Sequence, residues 1–149
     1  MRAITIRQPW ASLLVTGKKR YETRSWATSY RGPIAIHASA FPVRRTVDQL
    51  AKNGAWGFLE RLDSLFLTPH SLDELPIGAI VATGILTRCN AVDEAFLSQL
   101  SAQETDLGDF SPGRFAWEFE NITLLSEPVP AKGMLGLWEW RDKARKNCT

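Results

Sequence analysis

Four residues with reactive side chains or unusual backbone freedom lie close together near the amino terminus. Gly17, Lys19, Glu22 and Arg24 all fall within the run GKKRYETR. A charge taken out of water needs a partner or a ligand, so this concentration of charge in a strand-forming segment predicts a site. The alternative is a solvated edge strand that carries a Glu22–Arg24 surface pair, because exposed ion pairs are common and contribute little.

Binding of a phosphate-bearing ligand is the first chemistry that this run suggests. Lys19, Arg24 and Arg31 can neutralise phosphates and release their counterions. Glu22 is interpreted as a clamp on Lys19 or Arg24, or as an acceptor for a base or ribose donor. The clamp is favoured, because a free carboxylate beside phosphate would repel it.

Flanking residues extend this predicted binding site. Arg7, together with the free N–H groups of a first helical turn, would add a second anion contact. Trp26 and Tyr30 offer rings on which a base can stack, whereas Trp10 is equally compatible with the core. The predicted ligand-binding residues are Arg7, Gln8, Trp10, Lys19, Glu22, Arg24, Trp26, Tyr30 and Arg31.

Catalysis by the same residues is the alternative function. Lys19 and Glu22 in one cleft could act as a general acid/base pair if burial shifts their pKa values. A metal-independent ribonuclease would use Glu22 or His37 as the base, with Lys19 or Arg24 stabilising the phosphorane. His37 lies in an apolar strand segment and is better explained as structural, and His70, in a turn-rich loop, is a weaker candidate. The sequence contains no P-loop, dinucleotide fingerprint or metal-ligand spacing, so we expect no cofactor and no metal.

The charge is unevenly distributed along the chain. The net charge is +2, but residues 1–52 hold ten Lys or Arg and two acids, whereas the rest holds eight bases and fourteen acids. The first third of the chain therefore has a net charge of +8, and the remainder has a net charge of −6. A face with this excess of base is typical of nucleic-acid binding, unless folding intersperses the two signs.

The composition predicts one folded domain over residues 1–149. A chain of 149 residues that is 44% hydrophobic can bury a core without disulfides. Cys89 and Cys148 are far apart and form no Cys/His cluster, which favours a reducing cytoplasm. Neither an export signal nor an apolar run long enough to span a membrane is evident.

Periodicity predicts an α+β fold, a small and mostly antiparallel β-barrel of five to six strands with peripheral helices. Strands are predicted at residues 3–6, 20–26, 32–38, 78–89, 115–120 (with one buried face) and 137–140. A helix opened by Gln8 and Pro9 should end at Gly17, and two inserted helices are predicted at residues 43–53 and 56–65. Loops are expected at residues 68–76 and 128–133, and residues 141–149 should fray.

Two local expectations bear on the site. On a regular strand Glu22 shares a face with Arg24 and not with Thr23, so Lys19 can join Glu22 only if the chain turns just after Gly17. The acidic stretch at residues 92–109 contains five acids and no base. Its second half is predicted to be a mobile loop, and the stretch or the inserted helices could instead dock a protein partner.

Five runs along the chain resemble the ASCH domain, the homology domain of activating signal cointegrator proteins. They are RQPWASLLVTGKKRYETRSW, YRGPIAIHAS, IGAIVATGIL, FAWEF and KGMLGLWEW. The G-x-K-x-x-E-x-R signature of that domain is intact here as Gly17, Lys19, Glu22 and Arg24. The resemblance implies a PUA-like barrel with a cleft beside the signature, and binding of nucleic acid, RNA favoured, or of a nucleotide or nucleoside.

The same resemblance also bears on catalysis. Some shorter ASCH relatives are amidohydrolases that act on acylated nucleosides, and they carry their presumed nucleophile, a threonine, where this chain has Glu22. Thr23 is adjacent but should point to the opposite face of the strand. This departure counts against transferring the activity to this chain.

Overall fold

The computed structural model describes residues 1–65 and 69–143. In chain order its elements are β1 (Arg2–Ile6), α1 (Trp10–Val15), β2 (Tyr21–Arg24), β3 (Gly32–Ala38), α2 (Val43–Lys52), α3 (Trp56–Leu65), α4 (Pro69–Asp73), β4 (Ala79–Ala91), α5 (Glu94–Leu97), α6 (Ala102–Leu107), β5 (Phe115–Pro130) and β6 (Leu137–Glu139). Of the tail that was expected to fray, residues 144–149, which include Cys148, lie outside the described residues, as do Thr68 and the side chain of His70.

The strands form a single six-stranded sheet in the order β2-β5-β4-β3-β1-β6. β1 and β3 run parallel, and the other neighbouring pairs are antiparallel. Register shifts interrupt the β3–β4 and β4–β5 pairs, and such bulges increase local twist and bend a strand. The sheet curls into a half-barrel with helices around it, which confirms the predicted α+β class and barrel-like sheet.

The main core lies between α1 and the concave side of the sheet. Apolar residues from α1, β1 and β3, including Leu14, Ile4 and Ile36, pack there with Trp117 from β5. A smaller cluster on the other side of the sheet contains Trp138. The alternating apolar residues that predicted these strands therefore do face a core.

β5 differs from its prediction in two ways. Residues 116–119 are buried on both faces, because a cluster around Phe110 and Phe96 covers the side on which Ala116 lies. The strand also continues through Pro130, a segment expected to be a turn. The Ala131 N–H bonds to the Gly78 carbonyl, on the β4 side of the strand. Positions 128 and 130 alternate with residue 131 and therefore face the opposite edge of β5, which β2 does not reach. The N–H groups that these prolines lack would have no partner strand there, so no ladder hydrogen bond is lost.

Two other predicted loops contain helices. The turn-rich segment at residues 68–76 includes α4. The second half of the acidic stretch forms α6, which the Ser101 side chain caps by accepting the Glu104 N–H. The prediction of a mobile loop there was wrong, because α6 packs against α3 and against the turn that follows α1.

The signature turn follows from how α1 ends. Gly17 adopts a φ of +78°, a conformation that suits glycine at the end of a helix. Its N–H bonds to the Leu14 carbonyl at 3.2 Å, and the Lys19 N–H bonds to Leu13 at 2.9 Å. The chain therefore turns just after Gly17, as required for Lys19 to approach Glu22.

Candidate ligand-binding cleft

Two cavities lie side by side along β2. We call the first, of about 550 Å³, the aromatic lobe, because it is lined by Trp10, Trp56 and Phe58. We call the second, of about 710 Å³, the basic lobe, because Arg7, Arg24, Arg114 and Lys132 line it. The two lobes are parts of one cleft, because four residues line both of them. These residues are Trp10, Glu22, Thr23 and Arg114.

A buried carboxylate from α6 holds the signature turn in place. Glu104 Oε1 accepts the backbone N–H of Arg20 at 2.6 Å and that of Tyr21 at 2.9 Å. Its Oε2 lies 3.7 Å from the Lys19 ammonium, and both side chains are buried. Glu104 thus satisfies two backbone donors at the start of β2 and provides the counter-charge for Lys19.

The rest of α6 is fixed to the same turn. The Gln103 amide donates to the Lys18 carbonyl at 2.7 Å, and the Trp10 indole N–H donates to the Leu107 carbonyl at 3.1 Å. Asp106 accepts from Arg61 of α3. Since Trp10 lines both lobes, α6 also fixes one wall of the cleft.

Lys19 is buried at the edge of the aromatic lobe. Its ammonium donates to the Tyr21 carbonyl and lies 5.2 Å from the centroid of the Phe110 ring. A Cβ on Gly108 would lie 3.1 Å from the Lys19 Nζ and 2.5 Å from the Phe110 ring, so glycine leaves room for both. Burial lowers the pKa of Lys19, an effect that Glu104 and Glu22 oppose.

Glu22 lies between the two lobes and is surrounded by cations. Its Oε1 is 3.0 Å from the Arg24 Nε. Burial raises the pKa of the Glu22 carboxyl, while Arg24, Lys19 and Arg114 oppose that rise. Glu22 therefore contacts Arg24, one of the two cations that it was predicted to clamp.

The guanidinium groups of the basic lobe are held by backbone carbonyls. Arg24 Nη2 donates to Thr5 at 2.6 Å, and Arg114 Nη2 donates to Thr23 at 3.0 Å. Arg114 also pairs with Asp109, at 3.5 Å. These bonds to backbone carbonyls orient the two arginines but do not neutralise their charge. Within the described part of the chain, the charge of Arg24 is balanced only by its pairing with Glu22.

Five of the predicted ligand-binding residues, Arg7, Trp10, Lys19, Glu22 and Arg24, line the cleft. Thr23 also lines both lobes, although the strand alternation was expected to turn it away. The Arg7 guanidinium lies 4.1 Å from the centroid of the Phe41 ring.

The other four lie elsewhere. Gln8 is buried and bonds to Ser12 and to the Pro76 carbonyl. Trp26 packs edge-on against Trp117 in the core, at 4.8 Å between ring centroids. The Tyr30 hydroxyl donates to Pro33, and Arg31 donates to the carbonyls of Thr28 and Tyr30.

Two N–H groups in the first turn of α1, which were expected to be free beside Arg7, already have partners. The Ala11 N–H bonds to the Arg7 carbonyl at 3.1 Å, and the Ser12 N–H bonds to the Gln8 side chain at 3.0 Å. This part of the predicted anion contact was wrong, because the residues just before α1 already use these donors.

Folding also redistributes the uneven charge of the sequence. Acids from the later part of the chain pair with cations of the first third, as in Lys19–Glu104, Arg20–Glu118 and Arg44–Asp73. The basic lobe in turn draws Arg114 and Lys132 from the acidic part. It is lined by four cationic side chains and one carboxylate, Glu22, so its positive charge comes from both parts of the chain.

Sequence reasoning missed four residues that shape the cleft, Glu104, Arg114, Lys132 and Trp56. For Glu104 a signal was present, since Ser101 and Glu104 have the S-x-x-E spacing of a capping box that begins a helix. The Glu104 side chain reaches across to β2, which local sequence does not reveal. Trp56 was used only as part of the apolar spacing that predicts α3, but 61% of it is exposed.

The fold and the cleft together define a class: an α+β domain whose curled, mostly antiparallel sheet carries a G-x-K-x-x-E-x-R signature beside a ligand-sized cleft. The family model of the ASCH domain matches residues 4–128, and the chain belongs to that family. It is similar to activating signal cointegrator 1 of Homo sapiens, with 30% identity over 141 residues, and of Mus musculus, with 31% over 143 residues. Each match covers 94% of this chain but 22% of the relative, so the chain spans about a fifth of the length of these proteins.

Within residues 1–65 and 69–143, no group of three or more His, Cys, Asp or Glu side chains is arranged to hold a metal ion. No helix in that part of the chain has the length and apolar character needed to cross a bilayer.

Replacing Glu104 tests whether its charge holds the turn. Glu104→Gln keeps an acceptor for the Arg20 and Tyr21 N–H groups but leaves the Lys19 ammonium buried without its nearer carboxylate. Breaking a buried pair in this way should lower the free energy of unfolding by about 3 kcal/mol in urea titrations. Adding Lys19→Met should recover part of the loss.

The matched control for this change is Asp106→Asn on the same helix. The Asp106–Arg61 pair lies at 3.0 Å but is partly exposed, so its loss should cost at most about 1 kcal/mol because solvent screens it. Equal destabilisation by the two substitutions would contradict the role given to Glu104.

Proposed function

We propose that residues 1–149 act as a single ASCH domain that binds single-stranded nucleic acid, RNA in preference to DNA, with one unpaired nucleotide across the cleft. Its phosphate would occupy the basic lobe and its base the aromatic lobe. The observation that carries this proposal is that Trp10, Glu22, Thr23 and Arg114 line both lobes, so a single ligand can contact both. The ASCH family is in general associated with RNA binding, which agrees with it.

The basic lobe has the charge that phosphate binding requires. Arg7 and Lys132 line it and form no ion pair with the described residues, whereas Arg24 pairs with Glu22 and Arg114 with Asp109. Cations without a carboxylate partner gain most from a phosphate, because they have no existing ion pair to give up. We therefore expect Arg7 and Lys132 to supply much of the salt-dependent affinity.

The aromatic lobe has the surface that a base requires. The exposed Trp56 stands at its rim, and Trp10 and Phe58 pack against each other with 5.3 Å between ring centroids. Stacking of a base on an aromatic ring contributes about 1 to 3 kcal/mol and tolerates any base. A cavity of about 550 Å³ also lies within the size range of small-molecule sites.

Salt titration separates these two contributions. Arg7→Ala and Lys132→Ala should each reduce the slope of log K against log salt for a short labelled single-stranded RNA by about 0.7, the value for one lost phosphate contact. Trp56→Ala should weaken binding by about 1 to 3 kcal/mol and leave the slope unchanged. Fluorescence anisotropy at several salt concentrations measures both quantities.

The control is Arg88→Ala, which removes an exposed cation of β4 that lines neither lobe. Its slope should equal that of the unchanged protein. A slope reduced by Arg88→Ala as much as by Arg7→Ala would contradict a localised phosphate site. No binding at low salt would contradict the proposed function altogether.

A hydrolase is the second candidate, and one observation favours it. Lys19 and Glu22 line the same cavity, and burial shifts the pKa of each toward its neutral form, as at many catalytic sites. Incubation with an acylated nucleoside panel and with RNA tests this candidate. Turnover that is lost in both Lys19→Ala and Glu22→Gln would support it, whereas turnover that survives both substitutions would exclude these residues.

A further inference from the structure

The rim of the basic lobe carries an exposed apolar tip. Residues 131–136 connect β5 to β6 and line this lobe. Within them Leu135 is 98% exposed and Met134 is 58% exposed. Leu135 is the most exposed of the large apolar side chains in the described part of the chain.

The loop that carries this tip is fixed at its base. The Ala131 N–H bonds to the Gly78 carbonyl at 3.0 Å, and the Ala131 carbonyl lies 2.7 Å from the His37 Nε2. Gly133 packs so closely that a Cβ there would lie 2.7 Å from both His37 and Thr5. Leu137 then begins β6 by pairing with Ile4 of β1. The exposed tip is therefore presented by an anchored loop.

The surroundings of the tip indicate what could cover it. Lys132 lies on the same loop, and Arg7, Arg24 and Arg114 line the lobe that the loop borders. A partner that fits this surface must be anionic where it meets the lobe and must offer apolar surface to the tip. Nucleic acid has both features, because its phosphates lie beside stacked bases, and Leu and Met are among the side chains that proteins insert between bases.

We propose that Leu135, assisted by Met134, is a wedge that enters between two adjacent bases of the bound strand and unstacks them. The unstacked nucleotide can then reach the aromatic lobe while its phosphate stays in the basic lobe. This inference rests on the proposed nucleic-acid binding and adds to it the residues that open the strand.

A pair of adjacent 2-aminopurines tests the wedge directly. In single-stranded RNA the stacked pair gives an exciton circular dichroism signal, which is lost when the two bases part even if one of them then stacks in the aromatic lobe, so binding of the unchanged protein should decrease this signal. Leu135→Ser should lose most of that decrease and keep the salt slope, because the phosphate contacts remain. Leu124→Ser is the matched control, since Leu124 is 55% exposed on β5 but lines neither lobe, and it should behave as the unchanged protein does.

The outcomes distinguish the wedge from the proposed function. A decrease that Leu135→Ser preserves, or binding of the unchanged protein with no decrease, would overturn the wedge, leave nucleic-acid binding standing and assign the tip to a protein partner. Absence of salt-dependent binding by the unchanged protein would overturn both. Equal losses in Leu135→Ser and Leu124→Ser would also overturn the wedge, because the effect would not depend on the tip.

Discussion

The backbone N–H groups of Arg20 and Tyr21 would enter β2 without a partner if the Glu104 carboxylate did not accept both. Unpaired buried donors are costly, and so is the buried ammonium of Lys19 that the same carboxylate neutralises. One side chain from α6 thus meets three demands made by the signature turn. The position of Glu22, and with it the boundary between the two lobes, depends on this contact.

That constraint explains why the two lobes differ in character. Near α6, acids pair with Lys19 and Arg61, and the rest of the lining includes the aromatic rings of Trp10, Trp56 and Phe58. On the other side of Glu22, Arg24 and Arg114 are oriented by backbone carbonyls, and Lys132 joins them from the loop before β6. A half with an excess of cationic charge therefore adjoins a half that offers aromatic rings, which suits a ligand whose phosphate and base have the same division.

How far the sequence predicted this arrangement depends on the range of the interactions. β3 matches its predicted bounds, residues 32–38, because apolar alternation is a local signal, and the turn at Gly17 followed from the end of a helical stripe. Glu104 could not be predicted as a partner of Lys19, since the two are brought together only when α6 packs on the turn. Trp26 was expected in the cleft, but its partner is Trp117, which is also distant in sequence.

The proposed ligand is one nucleotide that lies across both lobes of the cleft, beside the turn that Glu104 holds. A crystal structure with a short RNA that contains 5-bromouridine tests this claim most directly, because the anomalous signal of bromine locates the base. We expect the bromine in the aromatic lobe near Trp56 and the adjoining phosphate within hydrogen-bond distance of Arg7 or Lys132. Bromine located on another surface, with both lobes free of RNA, would contradict the account.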